Sequence, residues 1–394
     1  MDYFITFEDS GHRAALAATL QNSSEIYYAR RRDNLLIGNL NESEAEIIKR
    51  DGAVLTPAQQ FEPLMDGTMD QLYQPLLSHP KNLTHVLEHI HAPQAWQTSK
   101  GEDVHIAIVD TGICGTMREF PAWKQSYSWP SSEAAWTDIR GHGSMTACIA
   151  AANSQSGGRY DGVAPNAKLI SCKTTFLDTE IYQIYEFLIG LVESKKVSKL
   201  VVNNSYGVYQ CNPPTVNSLL VDIIRDAIGK GIVVVFAAGN NHVKVCGSDP
   251  LMCHPNTILG LNSLDEVISV GTVDENNRMD QPPTTVGGFC HRDSSRGPGQ
   301  LAQTTTKPDC VAPTYGEVMW GCGYVAMEWW GTSGAAPQVA GLGALLLSKY
   351  PTLTPDQISN VVRGSCTPLP LPTECVGSGI INCNTAMSKA KTLV

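Results

Sequence analysis

From residue 104 onward, short apolar runs alternate with longer stretches of helical character. The runs at 104–109, 168–172, 200–203, 232–237 and 267–270 are apolar almost throughout rather than at every second position. That is the pattern of strands covered on both faces, which parallel sheets require. Residues 181–194 and 219–229 lie between such runs and read as helices. Parallel neighbours need a long crossover, usually helical, so the alternation confines this part of the chain to α/β layering. At 394 residues there is length for one large core and a second, smaller module.

Three short segments carry the chemistry. Asp110 closes the 104–109 run, just before Thr111 and Gly112 break it. Open α/β sheets place their sites at the carboxyl ends of strands. A buried carboxylate there can hold an imidazole in one tautomer and stabilise its cation. His142 stands between Gly141 and Gly143 and opens a helical stretch, where it can face a cleft and shuttle a proton. Ser333 precedes a helix of small residues with Pro337 in its first turns. A hydroxyl at that position sits in a field favouring negative charge. Asn240 ends the 232–237 region and offers a side-chain amide to an oxyanion, with the Ser333 backbone N–H as the second donor. Taken singly, these residues serve equally well as a turn, a loop histidine and a helix cap. Together, in the order Asp, His, Ser, they form a nucleophilic site.

On these residues the chain resembles the subtilisin-like serine peptidases. Gly162-Val163-Ala164-Pro165, Asn203-Asn204-Ser205-Tyr206-Gly207, Ser294-Ser295-Arg296-Gly297-Pro298 and the segment 307–313 extend the resemblance over nearly the whole chain. The resemblance implies a subtilisin-like, doubly wound parallel sheet over 93–394. It also implies a serine endopeptidase with Asp110, His142 and Ser333 as the triad and Asn240 as the oxyanion amide. Ser205, Tyr206 and Gly207 then form the strand that pairs with extended substrate and walls the primary pocket. The loop 243–261 with His254-Pro255 falls near that pocket. Met145, Gly334 and Gln338 depart from the usual pattern and put pocket shape and substrate preference in question.

Residues 1–65 read as a separate unit. Strand patterns at 3–7, 25–29, 34–38 and 53–56, with helices at 12–20 and from Asn41 to Arg50, give the order β-α-β-β-α-β. That order fits a small ferredoxin-like α+β module. By resemblance it is a prodomain, a folding chaperone and inhibitor held in cis, whose tail at 61–65 enters the active site and is cut near 64–70. A large parallel sheet has high contact order, so a partner that binds its native form is useful. Residues 66–92 read as a linker.

Net charge is −10 and the longest basic run is Arg30-Arg31-Arg32, which reads as a solvated strand end. This excludes nucleic acid as the expected partner. No apolar stretch is long enough to span a membrane. The N-terminus lacks the basic start and apolar centre of an export signal, so the chain as it stands reads as cytoplasmic, or as secreted if a signal has been removed. Yet all twelve cysteines fall from Cys114 onward and suggest disulfides. Cys246, Cys253, Cys366, Cys375 and Cys383 lie in loop-like regions and are pairing candidates. Cys148 and Cys172 sit in apolar stretches as buried thiols. The reaction needs no cofactor. Calcium is frequent in the family, and Glu119 with the loop 153–161 falls where one site would be; the same residues read equally as a solvated loop, so no metal ligand is assigned. Peptide or protein is the expected substrate. Two competing readings stand beside the endopeptidase: a precursor-peptide maturation protease or macrocyclase on the same triad, and a catalytically silent binding protein.

Overall fold

The computed structural model describes residues 1–11, 13, 26–63, 78–211, 215–253, 256–282 and 289–393. The helix expected at 12–20 (save residue 13), the expected cleavage segment 64–70 and His254-Pro255 lie outside the described residues.

Strands β1 (Asp2–Thr6), β2 (Ile26–Tyr28), β3 (Leu35–Asn39) and β4 (Val54–Pro57) form an antiparallel sheet in the order β2-β3-β1-β4. Helix α1 (Glu42–Arg50) starts at Asn41, whose side chain accepts from Glu44 N while the Glu44 carboxylate accepts from Asn41 N. This reciprocal cap satisfies two otherwise orphaned donors. Strand alternation sends Ile5 and Leu36 to the face covered by Ala45 and Ile48 of α1. It sends Phe4, Leu35 and Ile37 to the other face, which joins the second core of the large unit. Phe4 meets Tyr182 edge to face at 5.8 Å.

The arginine triplet corrects its sequence reading. Arg31 binds the carboxylates of Glu193 and Asp226, and Arg32 that of Asp222. Glu186, only 5% exposed, accepts from Tyr27 Oη at 2.6 Å, Arg31 N at 2.8 Å and Arg30 N at 3.2 Å. The triplet is therefore a docking surface rather than a solvated end. The chain then runs to β5 (Glu62–Pro63), which leaves this sheet and pairs with the large unit.

The expected linker is also shorter than the sequence suggested. Helix α2 (Leu83–His89), capped by Asn82, buries Leu83, Val86 and Leu87 in the main core. These three apolar residues on one helical face place this stretch within the large unit.

That unit is built on seven strands in the order β13-β12-β11-β9-β6-β8-β7. They are β6 (His105–Asp110), β7 (Gln125–Trp129), β8 (Lys168–Lys173), β9 (Leu200–Asn204), β11 (Val233–Ala237), β12 (Ile268–Val273) and β13 (Cys310–Pro313), and every neighbouring pair is parallel. The short β10 (Tyr206–Gly207) follows β9. Alternate residues divide between two layers. Ile106, Ile108, Val233 and Val235 pack with α3 (His142–Ala151) and α6 (Gly331–Lys349). Ala107, Val109, Val234 and Phe236 pack with α4 (Asp178–Glu193) and α5 (Ser218–Gly229). The chain order turns back between β6 and β9, which is where open sheets leave a crevice at the carboxyl ends. An antiparallel hairpin, β14 (Gly316–Trp320) and β15 (Gly323–Met327), leads from β13 into α6.

Disulfides join Cys114 to Cys322, Cys211 to Cys246 and Cys253 to Cys375. Of the pairing candidates, Cys246, Cys253 and Cys375 are bridged, whereas Cys366 and Cys383 are free. Cys148 and Cys172 are buried thiols in the core, and burial raises both pKa values.

Candidate active site

The ends of β6 and β9, the starts of α3 and α6, and the segment after β11 converge on one point. Asp110 Oδ1 lies 2.7 Å from His142 Nδ1, with both side chains fully buried. The same carboxylate accepts from Thr111 N at 2.8 Å and Thr146 Oγ1 at 3.3 Å. These donors fix its plane, so the imidazole is held from one side. Gly143 allows the close approach: a Cβ there would lie 2.1 Å from Gly112 O.

Ser333 sits in the first turn of α6, fully buried. Its hydroxyl donates to Ser205 O at 3.3 Å, and Ser205 Oγ donates back to Ser333 O at 3.2 Å. His142 Nε2 is buried and has no hydrogen-bond partner among the described residues. The serine–histidine bond is thus not made in this state, and the Ser333 hydroxyl must leave Ser205 to make it. Such bonds commonly tighten only when substrate is present. Asn240 Oδ1 accepts from Thr332 N at 3.1 Å and Thr332 Oγ1 at 2.9 Å. With the oxygen so occupied, the amide nitrogen is turned the other way, and it reaches Tyr209 Oη at 3.3 Å. The N–H groups of the first turn of α6 have no acceptors within the helix, and they flank the same point.

Asp138 was not singled out from the sequence. It is 6% exposed and accepts from Thr111 Oγ1, Arg140 N, Gly141 N, Ser144 N and Ser144 Oγ at 2.7–3.1 Å. It caps the start of α3 from outside the helix and ties it to the loop after Asp110. An acidic residue shortly before a helix start was the available signal.

The three residues expected to bind substrate are placed in different ways. Ser205 holds Ser333, as above. Tyr206 is 1% exposed, and its ring lies 5.6–5.8 Å from those of Phe61, Phe176 and Phe236. Gly207 pairs with Glu62, and Tyr206 with Pro63, in an antiparallel ladder. On the other side Phe61 N donates to Phe176 O at 2.8 Å, and Gln60 bridges Leu177. The tail of the N-terminal unit therefore lies as a strand between two walls. Asn262, in the region of the expected pocket loop, donates to Tyr206 O at 2.8 Å and Ala237 O at 2.7 Å, holding the wall in place. Met145 and Gln338 are fully buried, and Gln338 Nε2 donates to Pro313 O and Gly334 O. These two departures from the usual pattern are thus built into the packed interior.

Residues 101–379 match the model of the subtilase family. The chain is a subtilase. Subtilisin DY of Bacillus licheniformis is 32% identical over 74% of this chain and 93% of its own length. The serine protease AprX of Bacillus subtilis (strain 168) is 26% identical over 92% of this chain and 82% of its own. Among solved structures, fervidolysin of Fervidobacterium pennivorans superposes over 98% of this chain and 60% of its own, with a TM-score of 0.67 at 18% identity. This subtilase is a subtilisin-like serine protease that acts on peptide or protein and needs no cofactor for its chemistry.

Many subtilases bind calcium, and the residues around Glu119 are those that would have to hold it. Glu119 is buried, and its Oε1 accepts from Arg159 N and from the Tyr324 hydroxyl, leaving Oε2 without a protein partner. Asp161 is spent on Ser154 N and Oγ, and Asn153 Oδ1 on Gln155 N. No group of three or more acidic, His or Cys side chains is placed to hold a metal among the described residues. Calcium needs six to eight oxygens, and one free carboxylate oxygen in a hydrogen-bonded network does not fit it.

Proposed function

We propose that this subtilase is an endopeptidase with Asp110, His142 and Ser333 as its triad, kept latent by its own residues 1–65. The observation that carries the reading is the buried 2.7 Å Asp110–His142 pair at the end of β6, with Ser333 held on Ser205 just past the end of the neighbouring β9 and the tail strand laid on Tyr206–Gly207. Ser333 Oγ attacks the peptide carbonyl carbon while His142 Nε2 takes its proton. Asp110 orients the ring through Nδ1 and stabilises the imidazolium. The oxyanion is received by Asn240 Nδ2 and the Ser333 N–H. Collapse expels the amine, which takes the proton from His142, and water cleaves the acyl-enzyme by the reverse sequence.

Strand addition gives binding through backbone bonds and specificity through alternate side chains. The register favours a cleavage site just beyond the tail strand. Gly207 faces Glu62 and Tyr206 faces Pro63, so the tail strand runs along β10 in the direction of Ser205, the residue bonded to Ser333. Self-cleavage is therefore assigned to the Leu64–Met65 bond, with Phe61 filling the aromatic pocket of Tyr206 and Phe176. Three disulfides favour an oxidising compartment for the working enzyme.

The test compares full-length wild type with Ser333→Ala. Wild type is expected to show a new N-terminus at Met65 and covalent labelling by a fluorophosphonate at Ser333. The variant is expected to show neither. Labelling that persists in Ser333→Ala refutes the nucleophile, and identical N-termini in both proteins refute self-cleavage. Turnover of an unrelated unfolded protein separates an endopeptidase from a maturation enzyme that leaves it intact.

A further inference from the structure

Three consecutive residues at the tip of the β14–β15 hairpin each grip a different part of the catalytic loops. Trp320 meets the His142 ring edge to face, with centroids 6.1 Å apart and planes at 86°. Its indole also fills the space beside Gly141, where a Cβ would stand 2.3 Å from Nε1. Gly141 has φ +92°, so the backbone entering His142 is shaped around this ring. Gly321 N donates to Gly141 O at 3.1 Å. Cys322 is bonded to Cys114 in the loop that follows Asp110, with Cα atoms 5.6 Å apart. Cys114 N in turn donates to Ser144 Oγ, which donates to Asp138. The other end of the hairpin runs through Trp329 and Trp330 into the turn that carries Ser333, and Trp330 Nε1 donates to Gly316 O at its base. One hairpin thus touches the loops of all three triad members.

His142 needs such a support. Asp110 holds only Nδ1, and Nε2 has no partner among the described residues. A single hydrogen bond leaves the ring free to rotate about its Cβ–Cγ bond. A ring packed edge to face against it removes that freedom. Trp320 is half-buried at the end of a two-stranded hairpin, and such a hairpin is marginal by itself. The Cys114–Cys322 bridge supplies the missing restraint.

We propose that Trp320 is a positioning residue for His142, and that the Cys114–Cys322 disulfide keeps it in place, making turnover sensitive to thiols. The proposal rests on the reading of His142 as general base. A dithiol delivers two electrons and two protons to the bridge, releases the Cys114 and Cys322 thiols, and itself closes to a cyclic disulfide. The loosened hairpin then no longer pins the ring. A misplacement near 1 Å costs on the order of 100-fold in rate, while the substrate strand on Tyr206–Gly207 is untouched.

The experiment uses the full-length chain, with turnover expressed per active site counted by fluorophosphonate titration. For Trp320→Ala and for Cys114→Ser/Cys322→Ser, kcat is expected to fall about 10- to 100-fold with KM within about twofold. Trp320→Phe, which keeps an aromatic face, is expected to restore most of kcat. Dithiothreitol is expected to lower wild-type kcat toward the double variant's value and to leave the double variant unchanged. If Trp320→Ala raises KM at constant kcat, the indole is a substrate wall and the proposal falls. It falls equally if dithiothreitol inhibits the double variant as much as wild type, because another bridge is then responsible. Should the double variant not fold, the Trp320→Ala and Trp320→Phe pair decides alone. Absence of label at Ser333 in wild type overturns the triad itself, whereas label at Ser333 with unchanged kcat in Trp320→Ala overturns only the pin.

Discussion

Replacing Glu186 by alanine removes the acceptor on which the N-terminal unit is hung. One buried carboxylate receives Tyr27 Oη, Arg30 N and Arg31 N. Burial and the bond to Glu186 together push the Tyr27 pKa up, so its hydroxyl is firmly a donor. A hydrogen bond to a charged group contributes about 1.5–3 kcal/mol, and a stranded buried donor costs about 1–3 kcal/mol. The three bonds share one carboxylate and are not independent, and water re-enters once the unit lifts, so about 3 kcal/mol is a fair total. That is roughly a 150-fold increase in the open population. On the proposed latency, opening exposes Ser333, so the fluorophosphonate labelling rate of the full-length chain reads it directly. Glu186→Ala should label up to about 150-fold faster than wild type, provided the closed form dominates in wild type. Arg31→Ala should have a smaller effect, since its partners Glu193 and Asp226 lie near the surface, where ion pairs are screened. If Glu186→Ala folds normally and labels at the wild-type rate, the docking face does not control access and the latency reading fails.

Two other outcomes follow from single groups. Asp178 starts α4, its N–H donates to Gln59 O, and burial raises its pKa from 3.8 to about 6. The folded chain therefore binds that proton more tightly than the unfolded one, so stability falls as pH rises from about 4 to about 6 and then levels off. Asp178→Asn should flatten this window and stabilise the chain at pH 7 by about 1–3 kcal/mol, as urea unfolding at several pH values will show. Asn240→Ala should lower kcat about 10²- to 10³-fold at nearly constant KM, the scale known for the subtilisin oxyanion amide rather than one calculated from these distances; steady-state kinetics on a peptide substrate measures it.

The parts legible in the sequence are those set by local pattern. The apolar runs at 104–109, 168–172 and 200–203 are strands β6, β8 and β9 within a residue or two, because strands covered on both faces cannot be polar. Asp110, His142 and Ser333 were readable because each sits where an element starts or stops, and Gly and Pro mark such places. β7 escaped because its five residues are only half-buried at the sheet edge, so its composition carries no apolar signal. Helix α2 escaped because it has seven residues, barely two turns, too short for periodicity to stand out.

What failed depends on distance along the chain. Arg30-Arg31-Arg32 looks like any exposed basic run until Asp222, Asp226 and Glu193 are brought across from 162 to 195 residues away. Trp320 looks like one more apolar residue until the Cys114–Cys322 bridge, closing 208 residues, sets it against His142. Chemistry-bearing atoms were visible because reactivity demands particular residue types. The groups that hold those atoms still are chosen only by shape and charge complementarity, and many types satisfy that. The control proposed for this enzyme, by its own first residues and by a hairpin at the imidazole, therefore resides in the layer that sequence reading is least equipped to see.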